Sequence, residues 1–412
     1  MIKFETFTLP NGLKVIFHPD KTTPMAVVNV IYNVGARDEN ENRTGFAHLF
    51  EHLMFGGSKH IPNFDAPLQL AGGECNAFTN NDITNYYDIL PVQNFETALW
   101  LESDRMLELA FTPKSLEVQR NVVIEEFKQR YLNQPYGDVW LELRPMIYKT
   151  HPYKWATIGK NIEQIAGASM EDVKGFFYKH YSPENATLVI GGNLESAEVK
   201  AKVEKWFGDI PARERYLRNL PIEPPQKEAR EKIIEREVPS DAIYLAFRMA
   251  KKTDPEFYTA DLVSDILGSG NSSRLYENLI TEKKILTQVS AYVTGGWEDG
   301  LIVISGHLQD EVSLEKAEEE IWAELDKIKA TPIDKRELTK VKNKFKTVKV
   351  FSEQPILNRV MKLALFDQMG TLDEVNDELS RYDAVSSEDI HQFVNTKMQK
   401  ENSTTLKIKA KS

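Results

Sequence analysis

The chain contains a single cysteine, Cys75, in 412 residues. One thiol forms no internal disulfide and supplies only one metal ligand, so the sequence excludes a disulfide-stabilised scaffold and a zinc site built from cysteines. No histidine is positioned by sequence as a partner for a catalytic thiol. We therefore expect Cys75 to have no catalytic role.

Long apolar runs and an excess of basic charge are also missing. No stretch of eighteen apolar residues occurs, which predicts that no helix spans a membrane. Residues 1–17 enter strand-like sequence without the apolar core of a signal peptide, so we expect a cytoplasmic protein, or a periplasmic one if a leader was removed. The net charge of −11 disfavours nucleic acid as a partner, because its phosphates would be repelled.

What the chain does contain is a pair of histidines at the spacing of a metal site. The segment His48-Leu49-Phe50-Glu51-His52 has the pattern H-x-x-E-H, the inverted form of the H-E-x-x-H zinc signature. Residues four apart lie on one face of a helix, so both imidazoles can reach one ion. A catalytic Zn²⁺ site keeps one position for water, and a neighbouring carboxylate collects the proton of that water. Glu51 is the carboxylate that this chemistry requires.

The residues around this motif predict a short helix with one buried face. Thr44 is the expected N-cap and Gly56-Gly57 the expected stop signal. Apolar residues supply the buried flank, namely Phe46, Leu49, Phe50, Leu53 and Met54. A purely structural role would bury two histidines beside a glutamate in a helix with ample apolar alternatives, which is costly. We therefore favour the metal site.

A site with two histidines needs a third protein ligand. A second predicted helix begins at Pro113, ends before Pro135 and carries adjacent carboxylates, Glu125 and Glu126. Adjacent helical positions point about 100° apart, so only one of the two faces the site easily. Periodicity does not choose between them.

Together these patterns resemble the pitrilysin/insulinase family of zinc metallopeptidases, and most of all its short, two-domain subunits similar to mitochondrial and bacterial processing peptidases. The resemblance rests on the inverted motif, on the downstream V-V-x-E-E helix and on residues 72–89, 98–106, 151–159, 181–193 and 206–211. It implies a zinc metalloendopeptidase that hydrolyses peptides or small unfolded polypeptides within a chamber. The implied zinc ligands are His48, His52 and Glu126, with Glu125 as the alternative third ligand and Glu51 as the general base.

The resemblance also implies the fold and a substrate strand. The expected fold class is α+β, with two homologous domains that each consist of a mixed, mostly antiparallel sheet with helices packed on it. The implied substrate-binding residues, which would pair with an extended peptide, are Asn76, Ala77, Phe78 and Thr79. Pairing through the backbone of an added strand explains a broad tolerance of substrate sequence.

The chain length and an internal repeat predict two domains, residues 1–215 and 216–412. The charged, proline-rich stretch 208–239 predicts a linker between them. In both halves a strand-like segment leads through a polar loop to a helix, and aligning Ala260 with Ala47 pairs the two helices. The second copy then has Asp261, Ser264 and Asp265 in place of His48, Glu51 and His52. We expect the second domain to have no metal site.

Two features depart from the family pattern. Gln119, seven residues before Glu126, replaces a glutamate that supports the zinc ligands from behind. Loss of such a carboxylate costs about 10- to 100-fold in metal affinity or activity. Ile280 and Thr287 stand where the family has an Arg and a Tyr that hold substrate, and neither supplies a guanidinium or a phenol.

The resemblance therefore implies a homologous partner subunit that supplies the Arg/Tyr pair. The chain has half the length of the longer single chains of the family, in which four domains enclose one chamber. We expect a heterodimer, with a homodimer that works without the pair as the alternative. A different interpretation, favoured by Gln119 and the missing pair, is a non-catalytic assembly or binding subunit.

Overall fold

The computed structural model describes residues 1–214 and 216–411. In chain order the strands are β1 (Glu5–Thr8), β2 (Lys14–Pro19), β3 (Met25–Tyr32), β4 (Glu74–Thr79), β5 (Thr84–Pro91), β6 (Ala186–Gly192), β7 (Arg230–Arg236), β8 (Ala242–Met249), β9 (Leu286–Thr294), β10 (Gly300–Leu308) and β11 (Ser403–Ala410). The α-helices are α1 (Phe46–Leu53), α2 (Asp65–Leu70), α3 (Phe95–Leu107), α4 (Pro113–Phe127), α5 (Val139–Ile147), α6 (Ile162–Ala166), α7 (Met170–His180), α8 (Ser196–Phe207), α9 (Pro255–Gly268), α10 (Leu314–Ala330), α11 (Lys335–Ser352), α12 (Ile356–Gln368), α13 (Glu378–Ala384) and α14 (Ser387–Lys397). None of the described helices is both long enough and apolar enough to cross a bilayer.

The strands form two sheets of matching topology. The first has the order β1-β2-β6-β3-β5-β4 and the second the order β7-β11-β8-β10-β9. In each sheet one pair is parallel, β2 with β6 and β7 with β11, and the other pairs are antiparallel. Without β1, the two orders correspond strand for strand. The predicted α+β fold of two homologous domains with mixed, mostly antiparallel sheets is confirmed.

The burial of the strands follows their sequences. β3, with the sequence MAVVNVIY, is buried from its second residue onward, and β6 is buried throughout. Runs of β-branched and aliphatic residues fit such central strands, which are covered on both faces. β4 instead contains exposed and half-buried positions and ends its sheet, with β5 as its only hydrogen-bonded neighbour among the described strands. β4 is therefore an edge strand, as the sequence predicted.

The helix that carries the histidine motif is present, but it begins differently from the prediction. Gly45, not Thr44, is the N-cap of α1, with the left-handed φ of 86° that glycine tolerates. The predicted N-cap at Thr44 is therefore wrong. The Thr44 hydroxyl instead bonds the Gln164 side chain and accepts the Lys160 N–H at 2.8 Å. Thr44 fixes the loop before the helix rather than the helix itself.

The chain folds into two compact units made of interleaved segments. The first contains residues 1–129, 151–221 and 351–376, and the second contains the rest of the described chain. α5, from the first half of the sequence, contacts β11 in the second unit, whereas α12, from the second half, contacts β2, β3 and β6 in the first. Gly191 on β6 permits this approach of α12, since a Cβ there would lie 2.5 Å from Cγ2 of Val360. The two halves have exchanged equivalent segments.

The compact units differ from the contiguous domains expected from the sequence, 1–215 and 216–412, by these exchanged segments. Residues 215 and 412, at the ends of the two expected domains, lie outside the described residues. The domain boundaries stay a prediction. Between α8 and β7 the described residues 211–229 contain no helix or strand, but β7 (Arg230–Arg236) lies within the predicted linker 208–239, so the linker prediction is wrong for that part.

Candidate metal centre

The helix α1 presents the two histidines from its less buried side. Its apolar side is fully buried, and there the Phe50 ring lies 4.9 Å from the Phe176 ring and 5.1 Å from the Tyr181 ring. The side chains of His48 and His52 retain 13% and 23% of their exposure. Their ring centroids are 4.8 Å apart. Aromatic packing behind the helix thus holds both imidazoles at an accessible surface of the first unit.

The helix α4 brings a carboxylate to these imidazoles. α4 begins at Pro113, as predicted, and its N-cap Thr112 accepts the Ser115 N–H at 3.1 Å. Because α4 packs against α1, Oε2 of Glu126 lies 3.6 Å from Nε2 of His48 and 3.4 Å from Nε2 of His52.

The neighbouring Glu125 is directed elsewhere. Its side chain is 60% exposed and forms an ion pair with Lys128 at 2.7 Å. Of the two candidate carboxylates, only that of Glu126 joins the histidines. The choice that helical periodicity left open is decided by the packing of α4 on α1.

The three side chains fit the ligand set of zinc. One ligand atom from each of His48, His52 and Glu126 lies within 4.8 Å of the others. Zn–N bonds of about 2.0–2.1 Å in a tetrahedral site place neighbouring ligand atoms about 3.3 Å apart. The two distances to Glu126, 3.4 and 3.6 Å, are close to this value. Two imidazoles and one carboxylate would hold Zn²⁺ and leave a fourth position for another ligand.

Glu51 lies half-buried on α1, beside two buried phenols that the motif did not indicate. Burial raises the pKa values of Tyr86 and Tyr181, and the negative charge of Glu51 raises both further. Both phenols are therefore neutral, and the pKa of each depends on the charge of Glu51. Tyr86 had only the pattern of a core aromatic residue, and Tyr181 carried no signal besides its place in a segment of family-like sequence.

The predicted substrate strand lies against the helix that carries the two histidines, because β4 contacts α1. Asn76 is exposed on β4, whereas Ala77, Phe78 and Thr79 are half-buried. The Ala77 N–H donates to Oδ1 of Asn76 at 2.8 Å. The structure thus places all four residues in the edge strand beside α1, and their contact with substrate stays a prediction.

Comparison with known proteins gives matches over most of the chain. A model described as Insulinase (Peptidase family M16) matches residues 14–157, and one described as Peptidase M16 inactive domain matches residues 167–345. Zinc protease PqqE of Helicobacter pylori is 30% identical over 346 residues, which cover 82% of this chain and 78% of that protein. The chain belongs to peptidase family M16. The His48, His52 and Glu126 cluster lies in the part that the insulinase model matches.

Solved structures of M16-like proteins share the fold. The crystal structure of a protease from Helicobacter pylori matches with a TM-score of 0.94 and 27% identity, over 99% of this chain and 100% of that chain. The periplasmic protease PqqL from Escherichia coli matches with a TM-score of 0.82 and 19% identity, over 98% of this chain but 47% of that one. This M16 chain therefore has the architecture of about half of PqqL.

The residues that depart from the M16 pattern are Gln119 on α4 and the pair Ile280 and Thr287 in the second unit. Gln119 is half-buried on α4, two turns before Glu126, and its side chain forms no hydrogen bond to the described residues. Ile280 packs against the core of the second unit, and the exposed Thr287 donates from Oγ1 to the His307 carbonyl at 3.2 Å. The supporting role expected of Gln119 stays a prediction.

The helix α9, which corresponds to α1 in the predicted repeat, forms other contacts through the equivalent side chains. On α9, the Asp261 carboxylate accepts a hydrogen bond from the Tyr382 hydroxyl, and the Asp265 carboxylate lies 3.4 Å from Nζ of Lys344. These aspartates occupy the positions of His48 and His52 in the predicted repeat. In this copy the equivalent side chains form a hydrogen bond and an ion pair with neighbouring helices.

Cys75 has the properties of an unreactive thiol. It is half-buried on β4, and burial is the main cause that raises its pKa to about 12. The thiolate is the nucleophilic form of cysteine. A thiol with this pKa stays protonated at neutral pH, and the expected absence of a catalytic role stays a prediction.

Proposed function

We propose that this M16 chain is a zinc-dependent endopeptidase that hydrolyses extended peptides at the cluster of His48, His52 and Glu126. The observation that carries this proposal is the convergence of two imidazole nitrogens and one carboxylate oxygen within 4.8 Å. Further support comes from Helicobacter pylori PqqE, a relative named a zinc protease.

The chain's own residues supply the proton transfer and the substrate register. Zn²⁺ held by the three ligands would lower the pKa of a bound water to about 7 and polarise a carbonyl. Glu51, one residue before His52 on α1, takes the proton from the attacking water and returns it to the departing amine. The edge of β4 pairs with the peptide backbone and brings its scissile carbonyl to α1.

The active form in this proposal is an assembly with a homologous subunit, in which a guanidinium and a phenol come from the partner. Ile280 and Thr287 support this part, since neither side chain binds or polarises a peptide carbonyl as those groups do. The match to about half of PqqL is consistent with an enzyme built from two chains of this size.

The proposal is tested with purified protein by quantifying zinc and by measuring cleavage of a peptide library, alone and after co-expression with a homologous chain. We expect Glu126→Gln to lose zinc, whereas the matched variant Glu125→Gln keeps it, because only Glu126 faces the histidines. We expect Glu51→Gln to keep zinc and to lower kcat by about 10²- to 10⁴-fold, the contribution of a general base.

Retention of full activity by zinc-loaded Glu51→Gln in the assembled enzyme would show that another group is the base. A second candidate function is a non-catalytic binding subunit, which the residues at positions 280 and 287 favour. A wild-type protein that purifies without stoichiometric zinc, and fails to take it up, would support this second function over the first.

A further inference from the structure

The helix α1 starts without a side-chain cap of its own. Its N-cap is Gly45, which has no side chain to bond the amides of the first turn. The first N–H groups of a helix have no partner within the helix and need one from elsewhere. In most helices that partner is a Ser, Thr, Asp or Asn at the N-cap itself.

Glu39 supplies these partners from six residues upstream of the N-cap. The Gly45 N–H donates to Oε2 of Glu39 at 3.0 Å, and the Ala47 N–H donates to Oε1 at 2.8 Å. The Glu39 residue is only 8% exposed. One buried carboxylate thus holds two amides at the start of α1 with both of its oxygens, and Ala47 directly precedes His48.

The turn that carries Glu39 is itself held in place. Arg37 forms a buried ion pair with Asp82 at 3.0 Å, and the Trp155 indole donates to the Ala36 carbonyl at 2.9 Å. Arg218 donates to both carboxylate oxygens of Asp38 at 2.7 and 2.9 Å. The turn that precedes Glu39 is therefore held in place by contacts with other parts of the first unit, and this fixes the position of the Glu39 side chain next to α1.

We propose that Glu39 is a positioning residue that sets the start of α1 and, through it, the direction of the His48 and His52 side chains. This inference rests on the proposed zinc site. Two hydrogen bonds to backbone amides fix the first turn of the helix, and His48 lies in that turn. Burial raises the pKa of Glu39 to about 8, so the two hydrogen bonds, not a full negative charge, hold the start of the helix. Residues that orient metal ligands typically change metal affinity by about 10- to 100-fold when they are replaced.

The variant Glu39→Gln tests this role. It keeps the size of the side chain but turns an amide NH₂ toward one of the two backbone N–H donors, so one helix amide loses its acceptor. The readout is the zinc dissociation constant, measured by competition with a chromophoric chelator, together with the thermal midpoint. We expect zinc to bind about tenfold more weakly.

The matched control is Asp389→Asn. Asp389 receives the Ser386 N–H at 2.7 Å in the capping box of α14, a helix without a metal cluster. We expect this control to lower the thermal midpoint without changing zinc affinity. Glu39→Asp, whose carboxylate is one methylene shorter, is measured alongside so that poor folding of Glu39→Gln does not decide the outcome, and it too should bind zinc more weakly.

Two negative results have different meanings. If the Glu39 variants lose thermal stability but bind zinc within about twofold of wild type, Glu39 is only a structural cap and the inference is overturned. If wild type itself binds no zinc, the proposed function is overturned, and the inference falls with it.

Discussion

At the scale of single residues, Arg105 on α3 is a charged side chain that is fully buried in the first unit. Its guanidinium is fully buried, hydrogen-bonds the equally buried Glu102 and lies over the rings of Phe64 and Tyr86 at 4.3 and 4.4 Å. Burial raises the pKa of the adjacent Asp88, and the charge of Glu102 raises it further. Arg105 is thus the cation that compensates a buried carboxylate.

Replacing Arg105 with methionine should destabilise the protein by about 3–5 kcal/mol, because the Glu102 carboxylate would remain buried without its partner. Urea unfolding followed by tryptophan fluorescence measures this change. The control is Lys59→Met, which breaks an exposed ion pair to Glu108 at 2.8 Å and should leave the unfolding curve nearly unchanged. Equal effects of the two variants would contradict the importance given to burial.

His180 predicts a dependence of stability on pH. Burial lowers its pKa from 6.5 to about 3. The unfolded imidazole binds a proton below pH 6.5 but the folded one does not, so the stabilising contribution is complete above pH 6.5 and falls as the pH decreases toward 3.

Wild type should therefore lose up to about 1.4 kcal/mol of unfolding free energy per pH unit as the pH falls below 6.5, and His180→Gln should show a shallower slope. Urea titrations between about pH 7 and 5 measure both slopes, above the range where most carboxyl groups titrate. The same slope in both proteins would show that another group causes the dependence.

The residues of the candidate site were predictable to different degrees. His48, Glu51 and His52 follow from one spacing within a single helix. Helical periodicity narrowed the third ligand only to Glu125 or Glu126. The packing of α4 on α1 decides which of these two carboxylates faces the histidines. Glu39 gave no signal, because it bonds backbone amides across a polar loop.

At the scale of elements, β4 offers its free edge beside α1. The Ala77 N–H bonds the Asn76 side chain, so β5 does not use this amide. Proline at an edge position of this kind removes a donor without breaking the sheet ladder. The amide of Ala77 is therefore a place where the proposed peptide pairing can be tested separately from the fold.

Ala77→Pro should raise KM for peptide substrates by about tenfold, the value of one lost hydrogen bond of about 1.4 kcal/mol, and should leave zinc content unchanged. Ala77→Ser keeps the N–H and serves as the control. Steady-state kinetics of the assembled enzyme give KM and kcat separately. A wild-type KM in Ala77→Pro would mean that substrate does not pair at this amide.

The elements themselves followed from the sequence where local pattern dominates. The β-branched run of β3 and the apolar spacing of α1 each predict one element, and the structure contains both. The start of α1 did not follow, since Gly45 takes the cap position and partners distant in sequence satisfy the first turn.

At the scale of the whole molecule, the described residues contain the candidate ligand set of His48, His52 and Glu126, and positions 280 and 287 supply neither a guanidinium nor a phenol. We expect the purified chain alone to cleave peptides slowly and a mixture with a homologous subunit to cleave them faster, with a size-exclusion peak at the mass of a dimer. A partner whose own Arg and Tyr have been replaced provides the control. Full turnover by the isolated monomer would contradict this expectation.

The interleaving of the two units was not visible in the sequence. Composition placed a linker between two contiguous halves, but the exchange of α5 and α12 depends on contacts between residues far apart in the chain, such as Gly191 and Val360. Local pattern carries no information about such pairs.

This exchange has a consequence for biosynthesis. The first sheet acquires α12, which packs on β2, β3 and β6, only after the ribosome has translated beyond residue 376. A nascent polypeptide that ends near residue 215 would leave those strands without their helix, with apolar surface open to aggregation. We therefore expect the first unit to fold completely only in a chain that includes α12.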